Sequence, residues 1–179
     1  MARPRNRSDV VPLTVSPKLL VGGSDAQFRE FILDLLAYTH RLEACRSAFA
    51  AIAGVSPAQY DILMLVSRTD GVSVGEVASR LHRSGAFITI EANKLVERGI
   101  LEKTADPGDG RRVLLKNTQK SLALLERLAP YQQRINDVLF ESLDARRFRE
   151  LRALAAELVA SGDRAVAMLN VLQREAEAA

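Results

Sequence analysis

The feature that most limits what this chain can fold into is a change of period at Gly99. Before it, apolar residues recur every three or four positions behind helix-capping residues; after it, they alternate. Ser73-Val74-Gly75-Glu76 has the capping-box spacing, and Val77, Ala78 and Leu81 form the inward side of a short helix. Only His82 and Arg83 separate that helix from Ser84, which caps another whose Ile88, Ala92, Leu95 and Val96 face inward. Gly99 stands where a left-handed residue ends a helix. Residues 100–104 and 111–116 then alternate on either side of a Pro/Gly/Asp turn at 105–110, which predicts a β-hairpin.

The flanks are helical. Phe28, Phe31, Leu35, Leu42, Cys45, Phe49 and Ile52 mark a long amphipathic helix over 25–54, ending at Gly54. Ser56-Pro57-Ala58-Gln59 supplies an N-cap, a proline at the first helical position and a capping box for a helix reaching about Thr69. Thr118 opens a helix carrying Leu122, Leu125, Leu128, Ile135, Val138 and Leu139, with Pro130 expected to kink it. The last helix starts near Asp144. Its Phe148, Leu151, Leu154, Leu158, Ala165, Met168 and Leu172 form a seam of nearly heptad period, with a break expected at Ser161-Gly162. Residues 1–24, with Arg3, Arg5, Arg7, Pro12, Pro17 and Gly22-Gly23, read as a flexible basic arm.

Composition narrows the function classes. With 47% hydrophobic and 26% charged residues, 179 residues can bury a core, which excludes a disordered or fibrous chain. A single cysteine, Cys45, allows neither an intrachain disulfide nor a cysteine zinc site, and fits a reducing compartment. Apolar runs are far too short to span a bilayer, and the Arg-rich start lacks the apolar stretch of a signal peptide, so the expected location is the cytoplasm. The net charge of +3 divides unevenly, with +3 in residues 1–24, +3 in 68–120 and −3 elsewhere. A basic middle against acidic surroundings is the electrostatic footprint of a surface that meets an anion such as nucleic acid. The two histidines, His40 and His82, lie on different elements, and no phosphate-loop, dinucleotide or HExxH pattern is present, so no catalytic set or cofactor is expected.

Two short helices followed at once by a hairpin give the order of a winged helix-turn-helix: a mainly α fold with a small β-hairpin wing. A helix held out by its neighbour fits the DNA major groove, and a basic hairpin reaches the backbone or the minor groove. At the hairpin, Asp106-Pro107-Gly108-Asp109-Gly110-Arg111-Arg112 with Thr118 beyond resembles the wing signature of MarR-type transcriptional regulators. Leu95-Val96-Glu97-Arg98-Gly99-Ile100-Leu101 is similar to that family's junction before the wing. The resemblance covers about residues 25–175 and implies a DNA-binding regulator, usually a repressor released by a ligand or by oxidation, that dimerises through its terminal helices. Gly110 stands where the family usually has the first wing arginine, Ile90 where it often has a basic residue and Glu91 where it has an apolar one.

The expected organisation is an arm at 1–24, a dimerisation helix at 25–54, the DNA-binding domain at 55–117 and a helical dimerisation region at 118–179. The expected DNA contacts are Ser84, Ala86, Phe87, Thr89, Ile90, Asn93, Lys94, Asp109, Arg111 and Arg112. Arg111 matches the retained wing arginine, aimed by Asp109; Ser84 and Thr89 suit phosphate; Lys94 and Arg112 suit the DNA backbone. The apolar character of this set favours A/T-containing DNA over guanine contacts. Glu91, at an inward position, needs a partner, for which Arg80, His82 and Arg83 are the candidates.

Long apolar stripes on the first and last helices predict a homodimer on a pseudo-palindromic operator with half-sites about 10 bp apart. A crevice lined by the first, second and fifth helices, with Tyr38, His40, Arg41, Arg46 and Tyr60, is the expected place for a small-molecule effector, an aromatic anion suiting it best. Two alternatives stand beside this reading. One is a degenerate winged-helix module that binds protein rather than DNA. The other is a regulator that responds to oxidation of Cys45, against which a buried, inert thiol weighs.

Overall fold

The computed structural model describes residues 11–69 and 71–178, with Gly110 and Arg111 described by their backbone alone. The chain order is α1 (Ala26–Ala53), α2 (Pro57–Val66), β1 (Val72–Ser73), α3 (Val74–Arg80), α4 (Gly85–Glu97), β2 (Leu101–Asp106), β3 (Asp109–Asn117), α5 (Gln119–Leu139) and α6 (Ala145–Glu177). The described residues up to 132 form one compact unit and those from 133 a second, the division falling within α5.

The core of the first unit gathers the last turn of α1 (Phe49, Ala50, Ala53), α2 (Ile62, Leu63, Val66), α3 (Val77, Ala78), α4 (Ile88, Ala92, Leu95), Leu115 of β3 and Leu124 and Leu128 of α5. Local chemistry sets its helix ends. The Ser56 side chain accepts from Gln59 N–H while the Gln59 side chain accepts from Ser56 N–H, a complete capping box. Ser73 caps α3 by accepting from Glu76 N–H, whereas the Glu76 carboxylate pairs with Arg80 at 2.8 Å. Gly54 and Gly99 have φ of 69° and 65°, the left-handed conformation that ends α1 and turns the chain from α4 into the sheet.

The sheet is antiparallel in the order β1-β3-β2. The strands of the hairpin run to Asp106 and from Asp109, so the turn is only Pro107-Gly108 rather than the six residues expected. The register shifts between Ala105, which pairs with Val113, and Asp106, which pairs with Asp109. Between those two pairs β3 has residues 110–112 and β2 none, which is a bulge.

Three further expectations are corrected. The buried face of α5 is Ser121, Leu124 and Leu128, while Leu122 is exposed. Ser121 tolerates burial because its hydroxyl donates to the Thr118 carbonyl at 2.8 Å. Helix α6 runs unbroken through Ser161-Gly162. An exposed glycine costs about 1 kcal/mol relative to alanine, too little to divide a long helix.

The third correction concerns the arm. Arg3, Arg5 and Arg7 lie outside the described residues, but residues 11–24 are tied to the start of α1 rather than loose. The Asp25 carboxylate accepts from Leu13 N–H at 2.7 Å and pairs with Arg29 at 3.0 Å, and Arg29 donates to the Val11 carbonyl at 2.6 Å. The Leu13 amide, followed by Arg29, holds the Asp25 carboxyl below its ordinary value of 3.8. The tether is thus present above pH 3.8 and lost as the pH falls through the lowered value. The Leu13 amide resonance is expected to titrate with a midpoint below 3.8 in an NMR pH series, and Asp25→Asn to abolish that titration.

Candidate nucleic-acid interface

The turn from α3 to α4 is short because Arg83 N–H bonds back to the Ala78 carbonyl at 3.0 Å and Ser84 starts the next helix by accepting from Phe87 N–H at 3.2 Å. That start leaves Ser84, Ala86, Phe87, Thr89 and Ile90 exposed, with Ile88 and Ala92 buried behind them. Arg83 lies over the Phe87 ring at 6.0 Å. Thr89 Oγ1 donates to the Gly85 carbonyl at 2.8 Å, and half-buried Asn93 accepts from Lys103 Nζ of β2 at 2.6 Å. This last bond ties α4 to the base of the wing.

Glu91 is buried, and its partners differ from those expected. Oε1 meets Lys94 Nζ at 2.6 Å, and Oε2 accepts from Gln59 Nε2 at 2.9 Å and Ser56 Oγ at 3.5 Å. The Lys94 ammonium, with help from Gln59, holds the Glu91 carboxyl below its ordinary value of 4.5. Lys94, expected as a DNA contact, is thus half of an intrahelical ion pair. Gln59 uses both ends of one amide, its oxygen closing the α2 cap and its nitrogen fastening α4. Replacing Gln59 with Leu leaves a buried carboxylate oxygen short of a donor. The expected cost is about 1–3 kcal/mol in urea unfolding, partly recovered in the Gln59→Leu/Glu91→Leu pair.

In the wing, Asp106 Oδ1 accepts from Gly108 N–H at 2.9 Å and so shapes the turn. Arg112 is exposed, donates to Ser73 Oγ at 3.3 Å and stands 4.0 Å from Asp106. Asp109 is exposed beside the turn. The side chain of Arg111, and so its expected bond to Asp109, lies outside the described residues. What the residues do show is a helix whose outer face exposes Phe87 and Ile90, with Arg83 over the Phe87 ring, Lys103 bonded to Asn93 and an exposed Arg112 on the wing.

The expected effector residues are only partly brought together. Arg46 pairs bidentately with Asp61, Nε at 3.0 Å from Oδ1, so its charge is already compensated. Tyr60 is buried against Phe49, ring centroids 6.2 Å apart, and its hydroxyl accepts from Gln132 at 2.7 Å. Burial pushes the Tyr60 phenol up, with Gln132 opposing. A cavity of about 800 Å³ is lined by Arg46 and Asp61, by Pro57 and Gln59, and by Arg83, Phe87 and Glu91 at the α4 side. A smaller one of about 500 Å³ lies between Ile52 of α1 and Leu124 and Tyr131 of α5. Tyr38, His40 and Arg41 stand nearer the start of α1 and line neither; Arg41 donates to the Ala37 carbonyl at 2.8 Å. Cys45 is half-buried and packs against the core.

A capped helix pair, a protruding second helix and a three-stranded sheet ending in a hairpin define a winged helix-turn-helix. Residues 53–112 match the family model of the MarR family. Solved structures agree in fold. A MarR transcriptional regulator from Methanosarcina mazei Go1 aligns with a TM-score of 0.60 and 23% identity, over 75% of this chain and 98% of its own. CouR from Rhodococcus jostii RHA1, bound to p-coumaroyl-CoA, aligns with a TM-score of 0.64 and 21% identity, over 71% and 90%. A probable transcriptional regulator from Pseudomonas aeruginosa gives 0.54 and 26%, over 70% and 94%. No curated protein sequence matches the chain. Among the described residues, no single helix is long and apolar enough to cross a membrane.

Proposed function

We propose that this protein is a dimeric, sequence-specific DNA-binding regulator of transcription acting in the cytoplasm, a repressor that a small-molecule effector releases. The observation that carries the reading is the exposed outer face of α4, held from behind by Glu91 and Gln59, with Arg83 and Lys103 against it and an exposed Arg112 on the wing. Helix α4 enters the major groove, and Arg111 and Arg112, in the bulge of β3, reach the backbone or the adjacent minor groove. Ser84 and the N–H groups of the α4 start hold a phosphate.

Self-association follows from unburied apolar surface. Helix α6 has no buried residue within the chain, and Phe148, Leu151, Leu154 and Leu158 are all exposed along it. Phe31, Leu35 and Leu36 are exposed on α1. Pairing through these stripes about a two-fold axis presents two copies of α4 to half-sites about one DNA turn apart. Among the structural relatives, CouR bound to p-coumaroyl-CoA supports a small-molecule effector carrying an aromatic acyl group.

The test is selection of duplex sites from a random library, followed by fluorescence-anisotropy titration of the selected site and a scrambled control. Tight binding to the selected site, lost with Arg111→Ala, is the expected result. Equal weak binding to both duplexes, indifferent to Arg111, would point to a protein-interaction module instead. Sedimentation equilibrium checks the dimer, and a monomer at micromolar concentration would overturn it.

A further inference from the structure

The outer face of α4 carries polar and apolar side chains, and the structure separates their roles. The polar ones are engaged within the protein. Ser84 caps the helix, Thr89 bonds to its own backbone at 2.8 Å, Asn93 uses its acceptor on Lys103 at 2.6 Å, and Lys94 is held by buried Glu91 at 2.6 Å. The apolar ones are open to solvent: Ala86, Phe87 at 39% and Ile90 at 55% exposure, the last two three residues apart and so neighbours on one helix face. Residues 85–97 contain no arginine, and Lys94 is their one lysine.

Bidentate reading of guanine requires a free forked or ammonium donor, and bidentate reading of adenine requires both ends of an amide. On this face Lys94 spends one ammonium proton on Glu91 and Asn93 has its oxygen on Lys103, so neither presents its full set of groups to a base. The major groove offers one apolar group, the C5-methyl of thymine, between rims of phosphate. An apolar strip with Arg83 over Phe87 and Lys103 bonded to Asn93 beside it is complementary to that arrangement.

Resting on the DNA-binding reading above, we propose that the operator is recognised through thymine methyl groups contacted by Phe87 and Ile90, while Thr89, Asn93 and Lys94 position the helix and do not read bases.

The experiment uses the full chain and the site selected from a random duplex library. Each thymine is replaced in turn by deoxyuridine, which removes the methyl and keeps the pairing groups. Each guanine is replaced by 7-deazaguanine, which removes the N7 acceptor. The expected result is a loss of about fourfold per contacted methyl at one or more A·T pairs in each half-site, and no change for 7-deazaguanine opposite α4. Ile90→Ala is expected to erase the deoxyuridine effect at one pair and Phe87→Ala at another. Ile90 is 55% and Phe87 39% exposed, so both variants should remain folded, and thermal unfolding tells loss of fold from loss of contact. Tight, selective binding indifferent to every deoxyuridine, or dependent on guanine N7, overturns methyl reading and leaves operator binding standing. A deoxyuridine effect that survives both alanine variants overturns the assignment to these two residues. Failure to enrich any sequence, with equal affinity for all duplexes, overturns operator binding and methyl reading together.

Discussion

Raising salt from about 50 to about 200 mM is expected to weaken operator binding by about 10³-fold. Arg83 and Lys103 beside α4 and Arg112 on the wing are exposed in each copy of the chain, so a dimer offers about six cations to phosphate, each releasing about 0.9 of a counterion. Arg112→Ala removes two of them from the dimer and should lower the slope of log affinity against log salt by about 2, with little change in site preference. Arg112 is more than half exposed and only 4.0 Å from Asp106, so its loss should leave the fold intact. A slope near zero in anisotropy titrations would mean that the face meets an apolar partner rather than DNA.

The second large effect is on stability. Leu63→Ala is expected to cost about 2–5 kcal/mol, read from urea unfolding by circular dichroism. Leu63 is fully buried on α2 among α1, α4, β3 and α5 side chains, and truncation there opens a cavity that its neighbours can only partly close. Leu158→Ala on α6 is the instructive contrast, because Leu158 is 54% exposed within one chain. It should leave unfolding at low protein concentration nearly unchanged, and lower the midpoint at high concentration where chains pair. Equal destabilisation at all concentrations would argue against α6 as a pairing surface.

Much of the fold was legible because its boundaries are chemical and local. Ser56 with Gln59, Ser73, Ser84 and Asp144 each cap the helix expected of them, since a hydroxyl or carboxylate finds an N–H three residues on whatever the tertiary context. What local chemistry does not contain was missed. Strand β1 is two residues that become a strand only by pairing with Leu114 and Leu115, far along the chain. The buried face of α5 includes polar Ser121 with Leu124 and Leu128, and a pattern built on apolar residues alone starts from Leu122 instead. The break expected in α6 rested on propensity, which neighbouring turns outweigh.

The candidate site divides the same way. The helical period alone puts Phe87 and Ile90 outward and Ile88 inward. Its internal bonds depend on distant residues: Gln59 reaches Glu91 across 32 positions, and Lys103 reaches Asn93 from the next element. The one available signal was Glu91 itself, an acid on an inward face, which demanded a donor without saying where it would come from.

The bulge in β3 has an evolutionary consequence. Leu115 anchors the strand in the core, and the pairing from Ala105 with Val113 down to Leu101 with Asn117 fixes everything below it. Above that anchor, residues 110–112 lie in the bulge between the Ala105–Val113 and Asp106–Asp109 pairs. A residue gained or lost there changes how far the wing's arginines extend without moving a core side chain. The tip can therefore diversify in reach by small insertions and deletions while the helix pair beside it stays under packing constraint.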